Sequence, residues 1–578
     1  MARIRAAIVQ FFVARHYISG TSFLLILSVF IGIGGGLGAI GFRWLIDSFH
    51  HLFQVRYADW LGSIYLLPIV VASGLFVANF IVTRWAKEAK GHGVPEVMAS
   101  VVTGGGVIRP RVVLIKSFVS AITIGSGGSV GREGPIVQIG SAWGSALGQL
   151  FHMSGERLKI LVGCGAAAGI SATFNAPIAG GLFALEVILG DFSINTFSPI
   201  LLSSILANAT TKYVMGNEVA FTIPEYRMES PLELGYYAVL AVIIGVASVG
   251  FTRLLYLVED TFDRVSINDN FKPIIAGLVV GSIGIWYPQV FGVGYETITD
   301  ALLGSLAPSL ILVLLLAKLL ATCLTLGGGG SGGIFAPSLF MGAMLGGAYG
   351  HLVNAISPGM TAEPGAYALV GMSAMVAGTT HAPLTAMVIL FELTDDYHLI
   401  LGLMLATIIS TLIAKQIYRE SIYTLKLARR GLHVSQGVDL SILDSIPVRD
   451  AMVTNYDFIR IQTPLGEIVS LLQHSELTDF PVVGEESELR GVVSFQDIRS
   501  VMMDNDLYPL LIAADVIGPD PPTITADAPL SEALAVFASS DITNLPVLSD
   551  ATSRKLAGVI SQTRLMSHYH QELQRRTT

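Results

Sequence analysis

The sequence predicts an all-α polytopic membrane protein, built from two structural repeats with broken helices and followed by an α+β tail. Three observations carry this prediction. The chain is 52% hydrophobic and only 13% charged, where soluble domains average about 25% charged. Its apolar residues fall in runs of bilayer length that stop near residue 440. Glycine-rich motifs recur in order at nearly constant spacing.

The runs come first. FLLILSVFIGIGGGLGAIGFRWLI, ELGYYAVLAVIIGVASVGFTRLLYL, SLILVLLLAKLLATCLTL and LILGLMLATIISTLIAKQI are each close to the ~20 residues that span a bilayer as a helix. Beyond Leu440 the composition becomes that of a soluble domain. Residues 441–578 hold 19 acidic and nine basic residues, so the net charge of −9 resides there and the membrane part is near neutral. The opening MARIRAAIVQFFVARHY is rich in arginine and lacks a signal-peptide cleavage pattern, which places it on the cytoplasmic side by the positive-inside rule. If the tail is cytoplasmic too, the number of full crossings is even. Cys164 and Cys323 both lie in apolar segments and read as small core residues with no disulfide role.

The repeats come second. GSGGSVGREGP (125–135) aligns with GGGGSGGIFAP (327–337) at an offset of 202, which also pairs Lys116 with Lys318 and Thr123 with Thr325. Further on, NAPIAGGLFALE (175–186) resembles HAPLTAMVILFE (381–392), and in each the proline precedes the glutamate by nine positions. Internal repeats in a membrane protein put the substrate site at the repeat interface, where half-helices point their N-termini at anions. Three stretches have the form of such breaks: GHGVP (91–95), GREGP (131–135) and GIFAP (333–337). Glycine leaves backbone N–H groups approachable, and proline is tolerated in a first helical turn. Exposed N–H groups and the positive end of the helix dipole together bind an anion. A phosphate-cradling loop would need a lysine and then Ser or Thr after the glycines, and none of the three offers it. Clustered carboxylates, which a magnesium or other cation transporter would use, are absent from these motifs, so no metal site is expected. Nor is there an HExxH or G-x-S-x-G of an enzyme, and nucleic acid is not an expected partner.

GREGP, GIFAP and GHGVP together resemble the signature segments of the CLC family of chloride channels and proton-coupled chloride transporters, whose form of the third is GSGIP. The resemblance runs from about Leu24 to Leu427. It implies a homodimer in lipid, an anion pathway in each subunit, and about 18 helices arranged as two inverted halves. It also implies site residues. Glu133 falls on the gating glutamate, whose carboxylate occupies an anion position when the pathway is closed. Chloride would be bound around Gly91, His92 and Gly93, around Arg132, Glu133 and Gly134, by the amides of Ile334 and Phe335, and by the hydroxyl of Tyr423 at the inner end. Arg132 is expected to shape the field without being a ligand.

Two departures matter. His92 stands where most members carry a serine that faces the central anion, and that position influences chloride against nitrate preference. A neutral imidazole there could donate one hydrogen bond, whereas a protonated one would add a cation. Val187 stands where proton-coupled members carry their internal acid, and the channels of the family also have valine there. Passive, gated chloride conduction is therefore the expected function. The alternative is a proton-coupled chloride or nitrate antiporter whose proton route lacks the usual internal glutamate. Glu186 and Glu392, equivalent in the two repeats, read as structural.

The tail carries its own duplication. DFPVVGEESELRGVVSFQDI (479–498) resembles NLPVLSDATSRKLAGVISQTRL (544–565), and LGEIVSLLQHS and LSEALAVFASS read as the helices preceding them. The pattern resembles a tandem pair of cytoplasmic CBS domains, which commonly sense adenine nucleotides. Ser494 and Asp497 match the family's ribose contact in the first unit, but Ser561 is followed by Arg564 in the second, so at most one nucleotide site is expected. The expected organisation is a membrane domain over 1–430, a linker over 431–447, and CBS units over 448–503 and 515–570.

Overall fold

A computed structural model describes residues 20–577, apart from 59–61, 154, 217–220, 222, 225, 227–229, 395–398, 433–442, 475–478, 486, 495–497, 499–510, 519–520, 541 and 551–553. The chain divides into two compact units, Met1–Val434 and Ser435–Thr578.

The first unit is helical. Among its described residues, seven helices are long and apolar enough to cross a membrane, including Glu233–Arg264, Pro308–Gly327 and Ile400–Ile417. Between them lie shorter apolar helices, such as Val94–Thr103 and Pro383–Thr394, which start or stop inside the fold. Lipid does not hydrogen-bond a backbone, so such interior ends survive only where protein groups satisfy them. All three glycine-rich breaks are helix starts: Val94, Glu133 and Phe335 each open a helix.

The two halves meet through reciprocal contacts. Gly131 and Gly333 exchange two backbone hydrogen bonds, both 2.7 Å, as an isolated antiparallel bridge. Thr123 Oγ1 accepts from the Ser331 N–H at 3.3 Å, and Thr325 Oγ1 accepts from the Ser129 N–H at 3.2 Å. A contact in which i meets j while their equivalents meet the other way round is the mark of a two-fold axis. Here the axis relates one half of the chain to the other. Helix packing repeats as well. Glycines 140 and 165 let Glu133–Leu150 approach Gly155–Phe174, and glycines 342 and 371 do the same for Phe335–Ile356 and Pro364–Thr380, because a Cβ at any of these would strike the facing backbone carbonyl. Small residues permit this closeness in a membrane bundle.

Glu186 and Glu392 complete the symmetry. The Glu186 carboxylate accepts the N–H groups of Leu384 and Thr385 at 3.2 and 2.8 Å, and the Thr385 hydroxyl at 2.6 Å. The Glu392 carboxylate accepts those of Ile178 and Ala179 at 2.9 and 2.7 Å. Each acid thus caps the proline-led helix of the other repeat, satisfying donors that have no intrahelical partner. Their structural reading stands. Either Glu186→Ala or Glu392→Ala should cost about 1–3 kcal/mol, the range for removing charged hydrogen-bond acceptors. Thermal unfolding in detergent checks this, and an unmoved midpoint would contradict it.

The second unit holds two copies of one small α+β motif. In the first, β1 (Ile459–Arg460) pairs in parallel with β2 (Asp479–Val483), which pairs antiparallel with β3 (Leu489–Ser494). In the second, β4 (Ile524–Thr525), β5 (Asn544–Leu548) and β6 (Leu556–Ser561) repeat that order and register, with Phe480 opposite Val493 and Leu545 opposite Ile560. The expected helices are present as Leu465–His474 and Leu530–Ser539. Apolar faces of helix and sheet close on each other through Leu465, Ile468 and Phe480 in one copy and Leu530, Ala533 and Leu545 in the other. The two-residue strands β1 and β4 are too short to leave a periodic signal in sequence.

Candidate functional site

Four helix starts surround the Gly131–Gly333 bridge. Besides Val94, Glu133 and Phe335, the short helix Tyr295–Leu302 begins after Gly294. Its lead-in, GVGYE (292–296), is the counterpart of GHGVP in the other repeat. The buried lysines reveal the equivalence. Lys116 Nζ donates to the Ala89 and Gly91 carbonyls (3.0 and 2.8 Å) and to Ser331 Oγ (2.9 Å). Lys318 Nζ donates to the Val290 and Gly292 carbonyls (3.0 and 2.8 Å). An ammonium has three donors, and for Lys116 all three find acceptors inside the apolar bundle. Because each peptide unit is planar and trans, holding the Gly91 and Gly292 carbonyls on the lysines turns the N–H groups of His92 and Val293 the other way.

Backbone packing at this centre is close. Gly91 and Ser331 form a parallel bridge. Gly93 adopts φ +89°, a conformation L side chains rarely take, and a Cβ there would lie 2.6 Å from the Gly134 carbonyl oxygen. The structure therefore brings together the predicted residues Gly91, Gly93, Gly134 and Ile334, the last standing just ahead of the Phe335 helix. Like Phe335, Ile334 is fully buried. The amides of Ile334 and Phe335 belong to the first turn, where helix geometry provides no acceptor.

Glu133 is buried. One carboxylate oxygen accepts the Ala336 N–H at 3.3 Å, and the other accepts the Tyr295 hydroxyl at 2.5 Å. A carboxylate thus rests on the N-terminal turn of the Phe335–Ile356 helix, which is where a free anion would bind. Arg132 holds its guanidinium over the Tyr295 ring, 5.1 Å from the centroid, and its Nε is buried without a hydrogen-bond partner. Tyr295, in contact with Glu133, is the candidate-site residue the sequence reading missed. The available signal was the GVG preceding it, at an offset of 201 from the GHG of the first repeat.

His92 is buried, with its ring edge-on to Tyr256 (centroids 6.2 Å apart) and Nδ1 lacking a partner. The Tyr256 hydroxyl donates to the Ile422 carbonyl at 2.7 Å, and the Ile422 N–H donates to the Thr379 carbonyl at 2.9 Å. Together these hold the turn carrying Tyr423, which is also buried. Val187 is buried within the π-helical segment Ala184–Leu189, one residue beyond the Glu186 cap. Its side chain brings no ionisable group to that position.

In the second unit, Ser494 ends β3, and Asp497 lies outside the described residues. The counterpart of Asp497 in the other copy, Arg564, donates its Nε to the Ala451 carbonyl at 3.1 Å. It is occupied in packing.

Comparison with known proteins adds independent findings. Residues 73–415 match the family model for voltage gated chloride channels, and residues 448–504 and 513–571 each match the CBS domain model. A putative chloride channel protein ClcB-like from Ralstonia nicotianae is 33% identical over 419 residues, 70% of this chain and 97% of that protein. The H(+)/Cl(-) exchange transporter ClcA of Vibrio cholerae is 32% identical over 421 residues, 70% of this chain and 89% of that protein. Two crystal structures share the fold. A slow cyanobacterial Cl-/H+ antiporter superposes with a TM-score of 0.67 at 24% identity, covering 72% of this chain and 98% of that one. A eukaryotic CLC transporter does so with a TM-score of 0.68 at 19% identity, covering 94% and 97%.

Proposed function

The chain belongs to the voltage-gated chloride channel (CLC) family, and from that premise we propose that it moves chloride in exchange for protons, with Glu133 as the group that carries out the exchange. The observation that carries the reading is the Glu133 carboxylate seated on the Ala336 amide. Ionised, it occupies an anion place and excludes chloride. Protonated, it loses its charge and with it most of its hold on the helix N-terminus, so chloride displaces it and the proton leaves with the side chain. One group thereby links both ions. The relatives named as exchangers support this order of preference over the passive channel expected from Val187 alone. With valine at 187, protons reach Glu133 from the Tyr423 end without an internal carboxylate. A chain of water is the simplest such route.

The remaining assignments follow from the same reading. Chloride is the transported anion, and His92 tunes the choice between chloride and nitrate. The protein is a homodimer with one pathway per subunit, and its N-terminus and CBS pair face the cytoplasm. Ser494 and Asp497 serve an adenine nucleotide in the first CBS unit.

The passive channel keeps one observation in its favour, Val187, and the test separates the two. Purified protein is reconstituted in a planar bilayer or liposomes, and the reversal potential is read under chloride and pH gradients. A passive chloride pathway follows the full ~59 mV per tenfold chloride ratio expected for one charge and ignores pH. Exchange makes the potential fall short of that slope and move when only the pH gradient changes. A potential indifferent to pH would return the protein to the channel reading.

A further inference from the structure

The helix Pro364–Thr380 ends on His381, which takes the left-handed conformation (φ 59°, ψ 31°). Glycine is the usual residue at such a helix end, and a bulky side chain kept there points to a use for it. The counterpart in the first repeat, Asn175, has the same φ of 59°. Of the two, only the histidine can take up a proton near neutral pH. His381 is buried, with 6% of its surface accessible, and no step described above employs it.

Its neighbours on either side in the chain say where it sits. Two residues before it, the Thr379 carbonyl accepts the Ile422 N–H at 2.9 Å, next to Tyr423. The Thr379 hydroxyl lies 3.4 Å from Ser338 Oγ, in the first turn of the helix Phe335–Ile356 on which Glu133 rests. Three and four residues after it, the Leu384 and Thr385 N–H groups bind the Glu186 carboxylate, adjacent in the chain to Val187. Lys415 of the helix Ile400–Ile417 is the charge that acts on His381, and it acts on Glu186 as well. Lys415 is exposed, so this end of the fold reaches water.

We propose that His381 is the proton-carrying residue at the Tyr423 end, in the part that valine at 187 cannot play. The proposal rests on the exchange reading above. One ring nitrogen binds a proton from water, the imidazolium passes a proton on to water leading inward, and the Glu133 carboxylate receives one. The imidazole returns to its neutral form, so nothing is consumed. Glu186 is the rival carrier, but its carboxylate already accepts three hydrogen bonds at the start of the Pro383–Thr394 helix.

His381→Gln and His381→Glu test this in liposomes, with chloride and proton movement read together and pH varied on each side in turn. His381→Gln should slow proton movement about a hundredfold, the lower end for losing a positioned proton carrier, while chloride still passes. His381→Glu should restore proton movement. Its dependence on pH at the Tyr423 side should move to lower pH, because a carboxyl titrates about two units below an imidazole. A merely structural histidine would give no such displacement. If the wild type is coupled and His381→Gln is coupled equally well, His381 is not the carrier and the exchange reading stands. A wild type that ignores pH overturns both. If His381→Gln loses both fluxes, His381→Glu decides: coupled transport with the displaced profile supports the carrier, and loss of both fluxes there too overturns it.

Discussion

Glu133→Gln should flatten the pH dependence of chloride flux and abolish proton movement driven by a chloride gradient. The amide keeps the size of the carboxyl but cannot carry a negative charge. In the structure the carboxylate is held by one backbone N–H and one phenol hydroxyl, and both interactions are stronger with an ionised acceptor. Glutamine retains a carbonyl that can accept one of them weakly, so the side chain competes poorly with chloride at every pH. The sign follows directly. In the wild type, acid protonates Glu133 and releases the anion place, so flux rises as pH falls. The variant should behave at neutral pH as the wild type does in acid. Chloride efflux from liposomes, read alongside a pH-sensitive dye, measures both ions together. A variant that still pumps protons, or that keeps the wild-type pH profile, removes Glu133 from the exchange.

The second large effect is steric. Gly134→Ala should disable transport and lower thermal stability by more than a typical surface change, on the order of 1–3 kcal/mol or above, the range for overpacking a filled interior. A Cβ at this glycine would strike the His92 carbonyl oxygen and come to 2.9 Å from the Gly333 Cα. Both neighbours are backbone, so no side chain can rotate away. The GHGVP and GIFAP segments would have to move apart, and with them the amides that define the anion place. Gly250→Ala is the matched control. It lies in the Glu233–Arg264 helix with open space around its Cβ position, where alanine is favoured over glycine by about 1 kcal/mol. Equal unfolding midpoints and equal flux for the two variants would show that the junction is looser than described.

Much of this site is legible in the chain itself. The offset of 202 pairs Thr123 with Thr325 and Gly131 with Gly333, and these are the pairs that make reciprocal contacts across the two-fold. Glu133 drew attention because a charge amid glycines in an apolar run marks an ion path or a buried pair, and its gating role is what the CLC resemblance implies. Glu186 and Glu392 were readable as structural from their equivalence, although not as caps on each other's repeats. Tyr295 was not readable. A tyrosine after GVG is unremarkable until the fold carries it across 162 residues of chain to the Glu133 carboxylate.

The chain by itself determined the membrane class, the duplication, the three helix breaks and the presence of a carboxylate at the second of them. Each of these is a local matter of apolar length, glycine and proline placement, or a periodic match, and local properties are written in consecutive residues. Only the tertiary structure decided which atoms hold that carboxylate and how each repeat caps the other. Those depend on distances between residues far apart in sequence, which are set by how helices pack and not by what any one of them contains.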